Sequence, residues 1–523
     1  MIENPILRGF CPDPSIVRVD DNYYIATSTF EWFPGVNLFH STNLKDWKQL
    51  PSPLSRKSQL DMIGNPNNAG IWAPCLSYSN GTFYLVFTDV KTQKRPFYNC
   101  HNYLVWTNDI CGKWTDPVYL NSTGFDPSLF HDDDGKKYLI NMRNEFKGIL
   151  LQEYDEKQKK LVGPVHTIFT GTNAGFTEGP HLYKKNGWYY LFTAEGGTGW
   201  EHQETVARSK KITGPYEISP HILITSKNHD ELFLQKAGHG QIVETENGDS
   251  YFVHLCSRPI TDNEGKRCSI TGRETAIQKV HWTDDGWPIA GNNGLPERTI
   301  SGVIEKNRKT PTEPNVSCGS FTDSFDCETL APVYHFLRTN PDSTISLKER
   351  KGFLRLYGKG SITSVHSVTL VARPQTETNC TVDTYVEFHP SCPEQAAGLC
   401  YMYNNENFNL FFVSAEDDGK TYLSLLRIYR AVYKQASSCA EGKIPIPSGN
   451  VYLRLVLNGK DGQFYYSTDG ISFTKAFDPI DATLLSDEKA CGFTGAHFAL
   501  YCHDMTGKSA YADFDYLNVQ NRP

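Results

Sequence analysis

The chain has 523 residues, a formal net charge of −8 and 13% aromatic side chains, a length that exceeds one hydrophobic core and predicts two or more domains. The acidic balance, without a dense Lys/Arg run, excludes nucleic acid as a partner, and the lack of any stretch of about 18 apolar residues excludes a helical membrane span. Fourteen cysteines, spread out and without a C-x-x-C pair, read as reduced and mostly buried thiols rather than a disulfide framework or zinc ribbon.

The N-terminus, Met1-Ile2-Glu3-Asn4-Pro5, carries no basic and apolar signal region, so a cytoplasmic protein is expected, or a secreted one if a signal has been removed. Next comes Gly9-Phe10-Cys11-Pro12-Asp13-Pro14-Ser15-Ile16, a carboxylate at the mouth of an apolar strand. Related stretches follow: Ala73-Pro74-Cys75-Leu76, Asp126-Pro127-Ser128-Leu129, Gly179-Pro180-His181-Leu182 and His239-Gly240-Gln241-Ile242. A spacing of roughly 50–60 residues is that of propeller blades rather than βαβ units. After each comes a turn and a second, aromatic strand: Asp20-Asp21-Asn22 before Tyr23, Asn80-Gly81 before Phe83, Asp134-Gly135 before Tyr138, Asn186-Gly187 before Trp188, and Asn247-Gly248 before Tyr251. Asn-Gly and Asp-Gly between such runs are strong hairpin signals. Asp132-Asp133-Asp134-Gly135 lacks the alternating spacing and distal Glu of a calcium loop and reads as a turn.

These units predict a five-bladed β-propeller over residues 1–300. A linker over 301–319 includes Lys309-Thr310-Pro311-Thr312-Glu313-Pro314. Residues 320–523 continue in strand-like runs with turns at Asn458-Gly459 and Asp469-Gly470 and without helical periodicity, so a β-sandwich of the jelly-roll or lectin-like kind is expected. The fold class is all-β.

Inner strands of a propeller start at the same end of one channel, so Asp13, Asp126 and Glu178, which stands one residue ahead of the fourth copy, should converge. Carboxyls crowded in a partly dry cavity cannot all stay charged, and repulsion and desolvation raise at least one pKa. That separates a base from an acid, as glycoside hydrolysis requires. No G-x-S-x-G, H-E-x-x-H or P-loop motif offers another chemistry. His239 occupies the fifth mouth, where it could bind substrate, ligate a metal through water or simply fill the channel. Arg273 could donate to sugar hydroxyls or pair with Glu274. Phe30, Trp32, Phe33 and Trp72 stand in or near channel-side loops, where aromatics can wall a sugar subsite.

The chain resembles the β-xylosidases of glycoside hydrolase family 43. The resemblance is carried by Pro12-Asp13-Pro14-Ser15-Ile16, Thr29-Phe30-Glu31-Trp32-Phe33-Pro34-Gly35, Gly70-Ile71-Trp72-Ala73-Pro74, Gly124-Phe125-Asp126-Pro127-Ser128, Thr177-Glu178-Gly179-Pro180-His181 and Gly272-Arg273-Glu274-Thr275, and extends to Gly492-Phe493-Thr494-Gly495-Ala496 and Ala512-Asp513-Phe514-Asp515-Tyr516. It implies inverting exo-hydrolysis of β-1,4-xylooligosaccharides from the non-reducing end, with α-L-arabinofuranosidase activity as a side activity or as the main one. It implies Asp13 as general base, Glu178 as general acid, Asp126 as pKa modulator, and Phe30, Trp72, His239 and Arg273 around the terminal sugar. No cofactor is required by the chemistry, although some relatives carry Ca2+ in the channel; a homo-oligomer is expected. The family's sandwich lends a Phe to the pocket in a Gly-Ala-Phe context; here Ala496 is followed by His497 and Phe498, so His497 is the expected wall residue, with Phe498 as the alternative. Cys11 stands two residues before the base and is expected to make the enzyme sensitive to bulky thiol reagents. Inversion predicts Asp13 and Glu178 carboxyls roughly 6.5–9.5 Å apart. The rival from another class is a non-catalytic sugar-binding propeller, which would have little reason to keep three acids in one funnel.

Overall fold

The computed structural model describes residues 1–94, 96–301, 319–341, 343–429 and 442–522. Among them helix is confined to single turns such as Asp487–Ala490, and the remaining regular structure is strand.

Up to Ala290 the strands form five successive antiparallel sheets. Their innermost strands are Ser15–Val19, Gly70–Ser79, Gly124–His131, Glu178–Lys185 and Gln235–Glu244. Each packs beside the next, and the fifth beside the first, so the sheets close into the ring that the repeats predict. The hairpin signals act as expected. Asn80-Gly81 has φ of 49° and 79°, and Asn186-Gly187 has 50° and 72°. Two left-handed residues in a row make the turn whose twist matches that of paired strands, joining Ser79 to Thr82 and Lys185 to Trp188. The N-terminus latches the ring: Ile2–Glu3 pairs with Thr299–Ile300, and the Asn4 side chain bonds both the carbonyl (2.8 Å) and the N–H (2.9 Å) of Ile277 in the fifth sheet.

From Phe321 onward two antiparallel sheets face each other. One contains Asn379–Phe388, Asn450–Asn458 and Tyr511–Asn521; the other contains Gln395–Asn404, Asn407–Ala415 and His497–Asp504. Val382, Leu453, Leu455 and Phe464 from the first meet Leu399, Tyr401, Phe411 and Leu423 from the second. Asn450–Asn458 alternates buried and half-buried positions, the mark of a strand with one face in the core. Gln395–Asn404 is buried on both faces, because its outer face covers the propeller: Cys400, Met402, Phe408 and Tyr501 share an apolar cluster with Phe10, Phe30 and Trp32. Fully burying one such side chain is worth about 1.5–3 kcal/mol, so this cluster seats the sandwich firmly. Phe336–Leu337 adds a strand to Trp32–Phe33. Gly272 and Gly495 approach so closely that a Cβ on either would lie 2.7–2.8 Å from the other's backbone.

The expected linker falls, apart from its two end residues, outside the described residues. No disulfide joins cysteines among the described residues, and no helix there is long and apolar enough to cross a membrane.

Candidate active site

The mouths of the five innermost strands share a backbone feature. Asp13, Ala73, Asp126, Gly179 and His239 all have positive φ, at 54°, 29°, 53°, 56° and 47°. In the second to fifth sheets the ladder slips at this point, between Trp72 and Cys75, Phe125 and Ser128, Glu178 and His181, and Gly238 and Gly240. Such a bulge re-aims side chains, and a left-handed non-glycine residue costs about 1–2 kcal/mol, a strain of the kind that persists at functional sites. Here Asp13, Asp126 and His239 line one cavity of about 210 Å³ together with Glu178. Position 179 itself must be glycine, since a Cβ there would lie 2.7 Å from His239 Cδ2.

The three carboxyls have different partners. Asp13 Oδ1 accepts from Arg273 Nη1 at 2.9 Å and lies 3.5 Å from His239 Nδ1, while Oδ2 accepts from Ser28 Oγ at 2.6 Å. Burial is the largest influence on Asp13 and raises its pKa, but Arg273, His239 and Ser28 together outweigh it and hold the group below the ordinary aspartate value. Asp126 accepts from the Gly179 N–H at 3.0 Å. Burial, opposed by His239 and reinforced by Asp13, pushes it up to about 6. No hydrogen bond offsets the burial of Glu178 among the causes of its shift. Desolvation, then the charges of Asp126 and Asp13, drive it well above the ordinary glutamate value. The cavity therefore favours the charged form of one carboxyl and the neutral form of another.

The walls are aromatic. Phe30 lies 5.8 Å from Trp72 and 6.1 Å from Phe493, ring centre to ring centre, and Trp72 meets Phe125 edge-on at 5.3 Å. Phe30, Trp72, His239 and Arg273 all line the cavity. Arg273 pairs with Asp13 rather than Glu274, which takes Arg258 instead. Arg273 Nη1 also donates to Thr198 at 3.1 Å, while Nη2 is buried without a partner.

Two expectations are corrected. His497 is 0% exposed and does not line the cavity. It begins a sandwich strand and stacks on Trp32 at 4.2 Å, so Trp32 too faces away from the site. The aromatic lent by the sandwich is Phe493, held by its N–H to Asn68 Oδ1 at 3.1 Å. Phe498 stacks on Tyr401 inside the sandwich core. Cys11, likewise, is buried among Leu7, Ile16 and Tyr23 rather than in the cavity. Sequence reasoning missed Ser28, Thr198, Gln93, Tyr98, Phe125, Phe146 and Phe493 as site residues. Of these, Ser28, Phe125 and Phe493 lie inside or beside recognised motifs, which was the available signal.

His181 and His202 are buried, with pKa values pushed down to about 3, and Cys75 Sγ lies 3.9 Å from His181. Among the described residues no group of three His, Cys, Asp or Glu side chains is placed to hold an ion.

Residues 2–288 match the family model for glycosyl hydrolases family 43, and residues 322–520 match that of the β-xylosidase C-terminal concanavalin A-like domain. The chain is 45% identical to the xylosidase/arabinosidase 43B of Humicola insolens, across 99% of this chain and 97% of the relative. It is 42% identical to a β-xylosidase of Bacillus subtilis, across the whole of both. The crystal structure of a xylan β-1,4-xylosidase from Bacillus halodurans superposes with a TM-score of 0.94 at 46% identity, covering 100% of each chain.

Proposed function

The chain belongs to glycosyl hydrolase family 43, and on that premise we propose that it releases D-xylose from the non-reducing end of β-1,4-xylooligosaccharides with inversion at the anomeric carbon. The terminal sugar occupies the cavity, with Phe30, Trp72 and Phe493 on its apolar faces. Asp13, ionised, takes a proton from water as the water attacks the anomeric carbon. Glu178, protonated, gives its proton to the departing glycosidic oxygen. Desolvation, and then the charge of Asp126, favour the protonated form of Glu178, and Asp126 is itself held by the Gly179 N–H. The single observation that carries this reading is that Asp13 and Glu178 line one cavity in which Arg273, His239 and Ser28 favour the charged form of Asp13 while desolvation and the neighbouring carboxylates favour the neutral form of Glu178.

A small, walled cavity of about 210 Å³ suits a terminal unit rather than the interior of a chain, which supports exo action. The double activity named for the Humicola insolens relative supports α-L-arabinofuranosidase as a side activity. The test is NMR observation of xylobiose cleavage. Release of α-xylose as the first anomer is expected. First release of β-xylose would overturn the inverting assignment, and binding without product would leave a sugar-binding protein. Arabinose released faster than xylose from branched arabinoxylan and xylobiose respectively would reverse the order of the two activities.

A further inference from the structure

Glu178 must present its proton at one place, yet no hydrogen bond to its carboxyl figures among the influences on its pKa. Its place is therefore set by the backbone on either side. On the C-terminal side the Gly179 N–H donates to the buried Asp126 carboxyl at 3.0 Å. On the N-terminal side stands Thr177, also buried, whose hydroxyl donates to Glu195 Oε1 at 2.8 Å. Across the ladder Glu178 pairs with Ala194, the chain neighbour of Glu195.

Glu195 ends the strand Trp188–Glu195 and is 0% exposed. A carboxyl so placed is costly unless it is hydrogen-bonded, and every hydrogen bond that its side chain accepts comes from the segment leading into Glu178. Besides Thr177, the Thr172 N–H donates to Oε1 at 2.7 Å and the Thr172 hydroxyl donates to Oε2. The next residue adds a backbone tie, from the Gly196 N–H to the Gly175 carbonyl at 2.8 Å. The segment closes tightly around this carboxyl. At Gly171, where φ is 87°, a Cβ would overlap Thr177 Oγ1 and lie 3.1 Å from Glu195 Oε1. Glu195 itself does not line the cavity, so its effect on the reaction runs through what it holds.

We propose that Glu195 is a positioning residue for the general acid, acting through the Thr177 hydroxyl to fix the backbone from which Glu178 projects. The proposal rests on Glu178 being the acid of the glycosidase reading above. Proton transfer needs the acid within hydrogen-bond reach of the departing oxygen, so a small shift of the Glu178 backbone weakens that step. Binding of the terminal sugar and activation of water by Asp13 do not depend on the tie.

The experiment measures kcat and KM on two substrates. Xylobiose needs a proton on its leaving oxygen; an aryl β-xyloside with a strongly acidic phenol does not. The variants are Thr177→Val, which replaces the hydroxyl by a methyl of like shape, Thr177→Ser, which keeps it, Glu195→Leu and Glu195→Gln, which keeps one acceptor. Thr177→Val and Glu195→Leu are expected to lose about tenfold or more in kcat on xylobiose, with KM and aryl-xyloside turnover unchanged. Thr177→Ser and Glu195→Gln are expected to keep wild-type kcat. If Glu195 acts through Thr177, the two losses are not additive, and the double variant is no worse than Glu195→Leu alone. Undiminished xylobiose turnover in Thr177→Val, a Thr177→Ser loss as large as that of Thr177→Val, or equal losses on the two substrates would overturn the proposal and leave the hydrolase reading intact. A wild type inactive on both substrates would overturn that reading as well. Retained aryl-xyloside turnover certifies folding; if Glu195→Leu does not fold, Thr177→Val decides, because it leaves both Thr172 bonds to Glu195 in place.

Discussion

Ser28 is the most informative place to perturb the proposed base. Its hydroxyl donates to Asp13 Oδ2 at 2.6 Å and accepts from the Ala73 N–H at 2.8 Å, and the residue is completely buried. Hydrogen bonds to a charged group are worth about 1.5–3 kcal/mol, and one pKa unit corresponds to about 1.4 kcal/mol. Ser28→Ala should therefore raise the Asp13 pKa by about one to two units, because Ser28 is one of the groups that lower it. The base must be ionised, so the acid limb of the kcat/KM profile on xylobiose should move to higher pH by that amount. The alkaline limb, set by Glu178, should stay in place, since Ser28 is not among the influences on Glu178. Folding stability responds in the same sense. Asp13's depressed pKa stabilises the fold above the unfolded aspartate value, and this contribution is lost as pH falls through the folded value. The variant should lose part of it, along with the cost of the orphaned Ala73 N–H. The assay is a kcat/KM profile from acid to neutral pH, with thermal unfolding followed in parallel. An acid limb that does not move, in a variant that still folds, would refute Asp13 as the titrating base.

Asp126→Asn should move the alkaline limb toward acid, because removing a negative neighbour lowers the Glu178 pKa; an unmoved limb counts against the modulating role. Gly179→Ala places a methyl 2.7 Å from His239 Cδ2 at a left-handed position, with strain of about 1–2 kcal/mol. A displacement of about 1 Å near the site can cost on the order of 10²-fold in turnover, and near-wild-type kcat would show that His239 needs no fixed place. Phe493→Ala strips one wall and its contact with Phe30, so KM for xylobiose should rise while folding is kept. Stacked aromatic contacts are worth about 0.5–1.5 kcal/mol, which sets the expected rise at several-fold, and an unchanged KM would remove Phe493 from the subsite.

The repeats made much of this architecture legible. Hairpin signals such as Asn80-Gly81 and Asn186-Gly187 mark local backbone geometry, and the common position of Asp13 and Asp126 is a property of the repeat itself. What aims them was not read: Asp13 and Asp126 both sit at left-handed residues, Asp126 beside a bulge, while in the fourth sheet the glycine takes the bend and Glu178 precedes it. A trace of it was present, for Pro14, Pro74, Pro127 and Pro180 follow the bent residues, and proline is tolerated where a ladder is interrupted because it has no N–H to lose. His497 went wrong for a different reason. Which of Phe493, His497 and Phe498 reaches the cavity depends on how the sandwich docks, through contacts such as Gly272 against Gly495 and Asn68 against Phe493, hundreds of residues apart in sequence.

The division of labour between the two carboxyls is tested most directly by leaving-group dependence. An aryl xyloside with a strongly acidic phenol needs no proton to depart, whereas xylobiose does. Glu178→Ala should lose the roughly 10²–10⁴-fold that general acid catalysis supplies on xylobiose, yet keep most of its turnover on the activated aryl xyloside, while Asp13→Ala should fail on both. Equal losses on the two substrates in Glu178→Ala, or retained xylobiose cleavage in Asp13→Ala, would contradict the assignment.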